Sequence, residues 1–336
     1  MIAEVIRKAV EGADLSSAEA NAAMGEIMAG EATPVQIAAF LVAMRMKGER
    51  VEEITEFARV MREHVRPVSP SRRPLVDTCG TGGDAIKTFN VSTAAAFVAA
   101  GAGVAVAKHG NRSVTSKCGS ADVLEALGIR FDLTPEECAR AIDEVGLGFM
   151  FAPSYHPAMR HAGPVRRELG LRTVFNMLGP LTNPAGAEAQ LLGVYSPELT
   201  EVHAGVLRNL GSRRAFVVHG EGGLDEMSCF GSTRVTELRD GELHTYTLSP
   251  EEVGLSRGAG PEAVGGGAPE ENARVLVEVL EGVPGPARDV VVLNAGAAIA
   301  AGGLADTLAD GVGVAAESID SGKAMAKLET LRQFVA

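Results

Sequence analysis

The chain has 336 residues, 46% hydrophobic and 22% charged, a globular composition with length for about two domains. Its formal net charge is −12 and it has no long Lys/Arg tract, so it offers no broad basic surface to nucleic acid or an anionic membrane; an anion must be met in a local pocket or through metal ions. Cys79, Cys118, Cys138 and Cys229 form no CxxC pair, the start MIAEVIRKAVEGADL is amphipathic rather than a signal peptide, and the apolar run DVVVLNAGAAIAAGG is too short for a bilayer span, which together predict no zinc site, reduced thiols and a soluble cytoplasmic protein.

The first seventy residues read as helices. SSAE at 16–19 has the form of a capping box. TPVQ at 33–36 adds a proline at the first helical position, and the helix it opens stops at Gly48. VEEITEFARVMREHV follows with apolar residues at helical spacing. RPVSPSRRP, residues 66–74, carries three prolines and reads as the hinge between a small helical domain, residues 1–70, and a large α/β domain, residues 71–336.

Beyond that hinge, strand-like runs (LVDTC, GVAVAKHG, FMFAP, LLGVYS, AFVVHG) alternate with helix-like ones. The alternation predicts a mostly parallel central sheet flanked by helices. STRVTELRDGELHTYTL breaks the rhythm as two β-rich runs around Asp240-Gly241, a hairpin signal. The glycine-rich residues 254–273 read as a flexible connector without a function of its own, and the tail is mostly helical.

Four stretches carry chemistry. VDTCGTGGDAIKTFNVST, residues 76–93, follows a strand and opens a helix; its glycines let backbone N–H groups close around an anion, and Asn90, Ser92 and Thr93 sit at the helix start. It is neither a Walker loop nor a GxGxxG fingerprint. Residues 107–128 form a second strand end, with Lys108, Arg112 and Lys117 for charge, His109 and Asn111 for directional bonds, and hydroxyls at Ser113, Thr115, Ser116 and Ser120. HGEGGLDEMS, residues 219–228, places Asp225 and Glu226 at a third strand end, two hard oxygen ligands suited to Mg²⁺. Residues 151–184 mix aromatic and apolar side chains with Arg160, Arg166, Arg167 and Arg172, a wall suited to a flat aromatic acid held by one arginine; composition does not say which. The sum is an enzyme that handles a diphosphate with Mg²⁺ and a second, smaller substrate.

GTGGD, NVST, KHGNRSVTSKCGSADVLEALG, FAPSYHPAMRH, RTVFNMLGPLTNP and GLDEMS, in this order, resemble the anthranilate phosphoribosyltransferase family over nearly the whole chain. The resemblance implies the nucleoside-phosphorylase-like class, with helices from about residues 163–185 joining the small domain, and a homodimer with the small domains at its interface. It implies transfer of the phosphoribosyl group of phosphoribosyl pyrophosphate to anthranilate, a step of tryptophan biosynthesis. It places Gly80, Gly83, Asp84 and Thr88 along phosphoribosyl pyrophosphate, and Asn90, Val91, Ser92 and Thr93 on its phosphate oxygens. Lys108, His109, Gly110, Asn111, Arg112, Ser113, Val114, Thr115 and Ser116 wrap its other side, and Ser120 completes the site. Gly80, Asn111 and Arg166 meet anthranilate; Ser92, Asp225 and Glu226 hold Mg²⁺, two ions per site. Lys108 and His109 are the catalytic candidates: Lys108 stabilises charge on the leaving pyrophosphate, and His109 assists the amine or else orients the loop. A pyrimidine nucleoside phosphorylase-like enzyme shares the architecture, but the intact GTGGD and GLDEMS argue against it. A nucleic-acid-binding relative without transferase activity would carry a basic surface and damaged motifs, and this chain carries neither.

Overall fold

The computed structural model describes residues 1–83, 86–113 and 117–334. It opens with four helices, α1 (Ile2–Val10), α2 (Ser17–Ala29), α3 (Pro34–Lys47) and α4 (Val51–Glu63). Their starts are local chemistry. Ser16 Oγ accepts the Glu19 amide at 3.3 Å while the Glu19 carboxylate accepts the Ser16 amide at 2.8 Å. Thr33 and Gln36 repeat the exchange at 3.3 and 2.9 Å. A capping side chain of this kind contributes about 1 kcal/mol to its helix. The loops between helices are joined by Lys47, whose ammonium meets Asp14 at 2.8 Å and the buried Glu53 at 3.0 Å.

The proline-rich stretch predicted as a hinge is anchored along its length. The Arg66 amide donates to Tyr155 O at 2.9 Å, the Val68 amide to Pro184 O at 3.1 Å, and the Ser71 amide to the Asp143 carboxylate at 2.9 Å.

Seven strands follow: β1 (Leu75–Gly80), β2 (Ala105–Gly110), β3 (Leu147–Phe151), β4 (Ala189–Gly193), β5 (Arg214–Gly220), β6 (Thr233–Arg239) and β7 (Glu242–Leu248). They form one sheet in the order β3-β2-β1-β4-β5-β6-β7. The first five are parallel, and β6 and β7 add an antiparallel hairpin at one edge. Its turn places Asp240 at φ 52° and Gly241 at φ 83°, the two left-handed positions of a type I′ turn.

Between and after the strands come α5 (Val91–Gly101), α6 (Ser120–Ala126), α7 (Pro135–Glu144), α8 (Ala152–Tyr155), α9 (Met159–Leu169), α10 (Phe175–Leu178) and α11 (Leu199–Asn209). The C-terminal part supplies α12 (Pro269–Leu280), α13 (Pro286–Ala301), α14 (Leu308–Asp320) and α15 (Lys323–Gln333). Strand side chains alternate between two cores, as a period of two demands. Leu191, Phe216 and Val218 face a core built with α5 and the C-terminal helices. Leu192, Ala215 and Val217 face the other way, into a core shared by α1–α4, α9, α10 and α11. The helix α9 packs tightly there: a Cβ on Gly30 would lie 2.5 Å from the His161 ring.

The glycine-rich residues 254–273 are not the flexible connector that their composition suggests. Val264 is buried, and its carbonyl accepts the Phe89 amide at 3.1 Å. The Gly266 amide donates to Lys87 O at 2.7 Å, and Thr88 bridges Gly265. Glycine is used here because two backbones touch: a Cβ on Gly266 would sit 2.4 Å from Thr88 O.

Candidate active site

The carboxyl ends of the parallel strands form a crevice, where ligands sit in this architecture. The segment carrying Asp225 and Glu226 crosses three of those ends, and each of the three strands stops on glycine. A Cβ on Gly80 would lie 2.3 Å from Asp225 Oδ2, one on Gly193 1.5 Å from Asp225 O, and one on Gly220 2.5 Å from Glu226 O. Side chains at these positions would lift the acidic segment off the sheet. Instead the glycine loop closes over it: Gly82 and Gly83 take φ of 66° and 79°, and the Gly82 amide donates to Asp225 Oδ2 at 2.8 Å. The Gly83 carbonyl accepts from Arg172, whose guanidinium stacks 4.4 Å from the Tyr195 ring.

Beside that loop, Asn90 opens α5 without capping it. Its amide is spent elsewhere, donating to Cys118 O at 3.3 Å and accepting from Asn272 of α12 at 3.0 Å. The Asn90 side chain thus takes none of the first-turn N–H groups of α5, and of these the Val91 amide bonds back to Phe89 O at 2.7 Å and the Thr93 amide to Asn90 O at 3.1 Å; a helix N-terminus without a side-chain cap suits an anion. Val91 and Thr93 are buried, and Ser92 is half-buried. Thr93 Oγ1 is a buried hydroxyl without a hydrogen-bond partner among the described residues.

The β2 end brings Lys108 underneath. Its ammonium, almost fully buried, donates to Thr78 O and, at 3.3 Å, to Ser92 Oγ. Burial pulls the Lys108 pKa down, against the attraction of Asp77, Cys79 and Glu226. The buried Asp77 carboxyl is pushed up by the same desolvation, against the attraction of Lys108. His109 follows, its Nε2 at 3.1 Å from His156 Nε2. Burial, then the neighbouring His156, drops the His109 pKa to about 3; burial alone takes His156 to about 4. The Gly179 backbone also bonds the His109 ring, so both faces of its hydrogen-bonding capacity point into the protein.

Of the expected ligands, Asp84 in the glycine loop and Val114, Thr115 and Ser116 in the loop after β2 lie outside the described residues. Gly110 fits against Phe149 and Ser120. The Asn111 side chain accepts the Arg112 amide at 2.8 Å. The Arg112 guanidinium turns away onto α6, bonding Asp122 at 2.7 Å and Glu125 at 2.8 Å, with the Phe131 ring 4.9 Å off. The Ser113 amide is held by Asp122 at 3.0 Å. Arg112, expected at the diphosphate, is thus engaged by carboxylates of the helix that follows it.

Arg166 stands apart from these loops, on α9, half-buried with its guanidinium 5.2 Å from the Phe175 ring. Burial lowers its pKa, whereas Arg167 is exposed.

Among the described residues no three His, Cys, Asp or Glu side chains cluster closely enough to hold a metal by themselves. The donors expected from the sequence are two adjacent carboxylates, Asp225 and Glu226, and the Ser92 hydroxyl. That set fits Mg²⁺, which takes one or two carboxylates and completes its shell with water and substrate phosphates. It does not fit a closed zinc site.

Several contributors escape a reading of the sequence: Asp77, Asn183, Asn272 and Asn294; Arg172 was legible as an arginine of the wall but not as the partner of Gly83. The signal for two of them was a polar residue inside an apolar run, Asp77 in LVDTC and Asn294 in VVVLNAGAA.

Residues 72–325 match the glycosyl transferase family a/b domain, and residues 3–65 the helical bundle domain of the same family. An anthranilate phosphoribosyltransferase of Symbiobacterium thermophilum is 61% identical over 330 residues, 98% of this chain and 96% of the relative. The crystal structure of anthranilate phosphoribosyltransferase from Thermus thermophilus superposes with a TM-score of 0.93 at 52% identity, covering 98% of both chains. The Saccharomyces cerevisiae enzyme in complex with PRPP and Mg superposes at 0.89 with 31% identity, covering 99% of this chain and 97% of that one. With the glycine loop, the buried lysine and the acidic pair meeting at one strand-end crevice, the chain belongs to the anthranilate phosphoribosyltransferase family.

Proposed function

We propose that this chain transfers the phosphoribosyl group of 5-phosphoribosyl 1-pyrophosphate to the amine of anthranilate, giving N-(5-phosphoribosyl)anthranilate and pyrophosphate in tryptophan biosynthesis. The observation that carries the reading is the meeting of Asp225 with the Gly82 amide, which brings a metal-binding carboxylate and an anion-binding loop to one point. Asp225, Glu226 and Ser92 would hold Mg²⁺, two ions per site, which when bound neutralises charge on the diphosphate. The bond from the anomeric carbon to pyrophosphate breaks with its electron pair on the leaving oxygen. The nitrogen lone pair of anthranilate forms the new bond, and the amine then loses a proton. Lys108 and the N-terminus of α5 stabilise the leaving charge where it develops. We assign His109 the orienting role, because its ring is engaged with His156 and Gly179. Arg166 and Asn111 hold anthranilate, Arg166 through its carboxylate, and positioning of the two substrates supplies much of the rate.

The remaining expected phosphoribosyl pyrophosphate contacts, from Gly80 to Thr93 and from Lys108 to Ser120, belong to this proposal as well. So does the division into a helical domain of residues 1–70, joined by helices from about 163–185, and a large domain of residues 71–336. The packing of α9 and α10 with α1–α4 in one core supports the joining of those helices, and α11 and one face of the sheet close the same core from the large domain. For the homodimer, α3 offers an apolar stripe. Val35 and Met46 are 78% and 84% exposed, and their spacing puts them about 20° apart on the helix. For a cytoplasmic location, all four cysteines are free, and among the described residues no helix is long and apolar enough to cross a membrane.

The test mixes the protein with anthranilate, phosphoribosyl pyrophosphate and Mg²⁺ and follows anthranilate fluorescence. Fluorescence should fall, and chelating the metal should stop the fall. No loss with all three present, or phosphorolysis of a pyrimidine nucleoside instead, would overturn the reading.

A further inference from the structure

We infer that Asn294, on the buried helix α13, is the positioning residue that sets the Asp225–Glu226 pair; this rests on the reading of that pair as metal ligands. Asn294 is fully buried, and it is the one polar side chain in a run from Val290 to Ala301 that is otherwise apolar or glycine. A side chain in such a place must have its hydrogen bonds met. Its Oδ1 accepts the Met227 amide at 3.0 Å. Its Nδ2 donates to Met227 O at 3.1 Å and to Val290 O at 2.8 Å. Both donors are used, and exchanging oxygen for nitrogen would face donor with donor at Met227, so the amide has one orientation.

One side chain therefore grips both backbone groups of the residue that follows Glu226. Met227 is itself fully buried, so water does not replace the grip. The strand-end glycines leave room beneath the acidic segment, and on its far side the Ser228 amide donates to Thr233 Oγ1 at 2.9 Å. Asn294 fixes the segment between these two constraints. Residues that orient metal ligands from behind typically change metal affinity about 10- to 100-fold when removed.

The test titrates Mn²⁺·phosphoribosyl pyrophosphate into the protein without anthranilate and reads water-proton relaxation, which reports bound metal without turnover. In Asn294→Ser the dissociation constant should rise about tenfold, with the Michaelis constant for anthranilate unchanged. In an Asp225→Asn/Glu226→Gln background, adding Asn294→Ser should cost nothing further. If the double acidic variant binds Mn²⁺ as wild type does, the metal-ligand reading has failed and the inference with it. If that variant is weakened but Asn294→Ser is not, the inference alone is overturned. Equal losses from Asn294→Ser in both backgrounds overturn it too, because the effect then bypasses the carboxylates. Asn294→Asp, isosteric but able to make at most one of the two donations, should weaken binding in the same direction as Asn294→Ser. Amide exchange of unmodified protein gives a result even if neither variant folds: the Met227 amide should exchange as slowly as the core of α13, and fast exchange sinks the idea.

Discussion

The backbone amide of His109 donates to the carboxylate of Asp77 at 3.1 Å. These residues lie on neighbouring strands, yet β1 and β2 pair as a ladder only at Leu75 with Ala105 and Val76 with Val106. Past that point side chains take over the backbone's partners. Asn183 donates to the second Asp77 oxygen at 2.7 Å and to Ala107 O at 2.8 Å, and its own oxygen takes the Ala185 amide at 2.9 Å. The dipeptide Lys108-His109 thus leaves the ladder with β1, stays paired with Phe149 and Met150 of β3, and is held on the β1 side by a buried carboxylate.

Asp77→Asn should therefore destabilise the protein despite its equal size. Asp77 accepts on both oxygens, and asparagine can accept on only one. Asn183 cannot turn to compensate, because its oxygen and nitrogen are both committed. A buried group left without its partner costs about 1–3 kcal/mol. Lys108 also loses an opposing charge, so kcat should fall as well. Urea unfolding of the two proteins measures the first effect; a difference within about 0.5 kcal/mol, the scatter of surface substitutions, would contradict it.

The His109–His156 pair predicts acid sensitivity. Both rings are held neutral, with pKa values of about 3 and about 4 against an ordinary 6.5. A depressed pKa gives stability that is fully present above 6.5 and is lost as pH falls through the folded values. The buried His203, also at about 4, adds in the same direction. Melting temperature should fall from pH 6.5 toward pH 4, and His156→Gln should flatten that slope. An unaltered slope in the variant would show that the pair does not control it.

What the sequence made legible was local. The capping boxes at Ser16 and Thr33 and the Asp240-Gly241 turn need only neighbours a few residues away. The glycine loop was legible as a loop, but the reason for Gly80 was not, because the atom that excludes a side chain there belongs to Asp225. Residues 254–273 misled for the same reason: their composition is that of a linker, and the contacts that order them come from Lys87, Thr88 and Phe89. Arg112 was legible as charge, but Asp122 and Glu125 on α6 decide where that charge points.

The ordered glycine-rich segment has a testable consequence. Asn272 accepts the Gly267 amide at 2.7 Å and donates to Asn90, joining that segment to the start of α5. Asn272→Ala should weaken phosphoribosyl pyrophosphate binding about fivefold, the equivalent of roughly 1 kcal/mol for one hydrogen bond. Calorimetry with Mg²⁺ present measures it. Unchanged affinity for the diphosphate, or an equal loss for anthranilate, would count against this link.

The arginines of residues 151–184 separate by surroundings. Arg172 bonds Gly83 O and stacks on Tyr195, so Arg172→Ala should loosen the glycine loop and raise the Michaelis constant for phosphoribosyl pyrophosphate. Arg167 is exposed, and Arg167→Ala should be mild. Arg166 is half-buried, stacked near Phe175, and so desolvated that its pKa is lowered, which strengthens any bond it makes to a carboxylate. If it holds anthranilate, Arg166→Ala removes a charge-assisted hydrogen bond worth roughly 1.5–3 kcal/mol. That is about a 10- to 150-fold rise in the Michaelis constant for anthranilate, with little change for the diphosphate, which other residues meet. Arg166→Lys should recover only part of the loss, because an ammonium cannot make the paired bonds of a guanidinium. Michaelis constants for both substrates in all four variants decide the matter. Harm to anthranilate use from Arg167→Ala but not from Arg166→Ala would move the assignment one residue along the helix. Equal harm to both substrates from Arg166→Ala would mean that this wall does not select the acid.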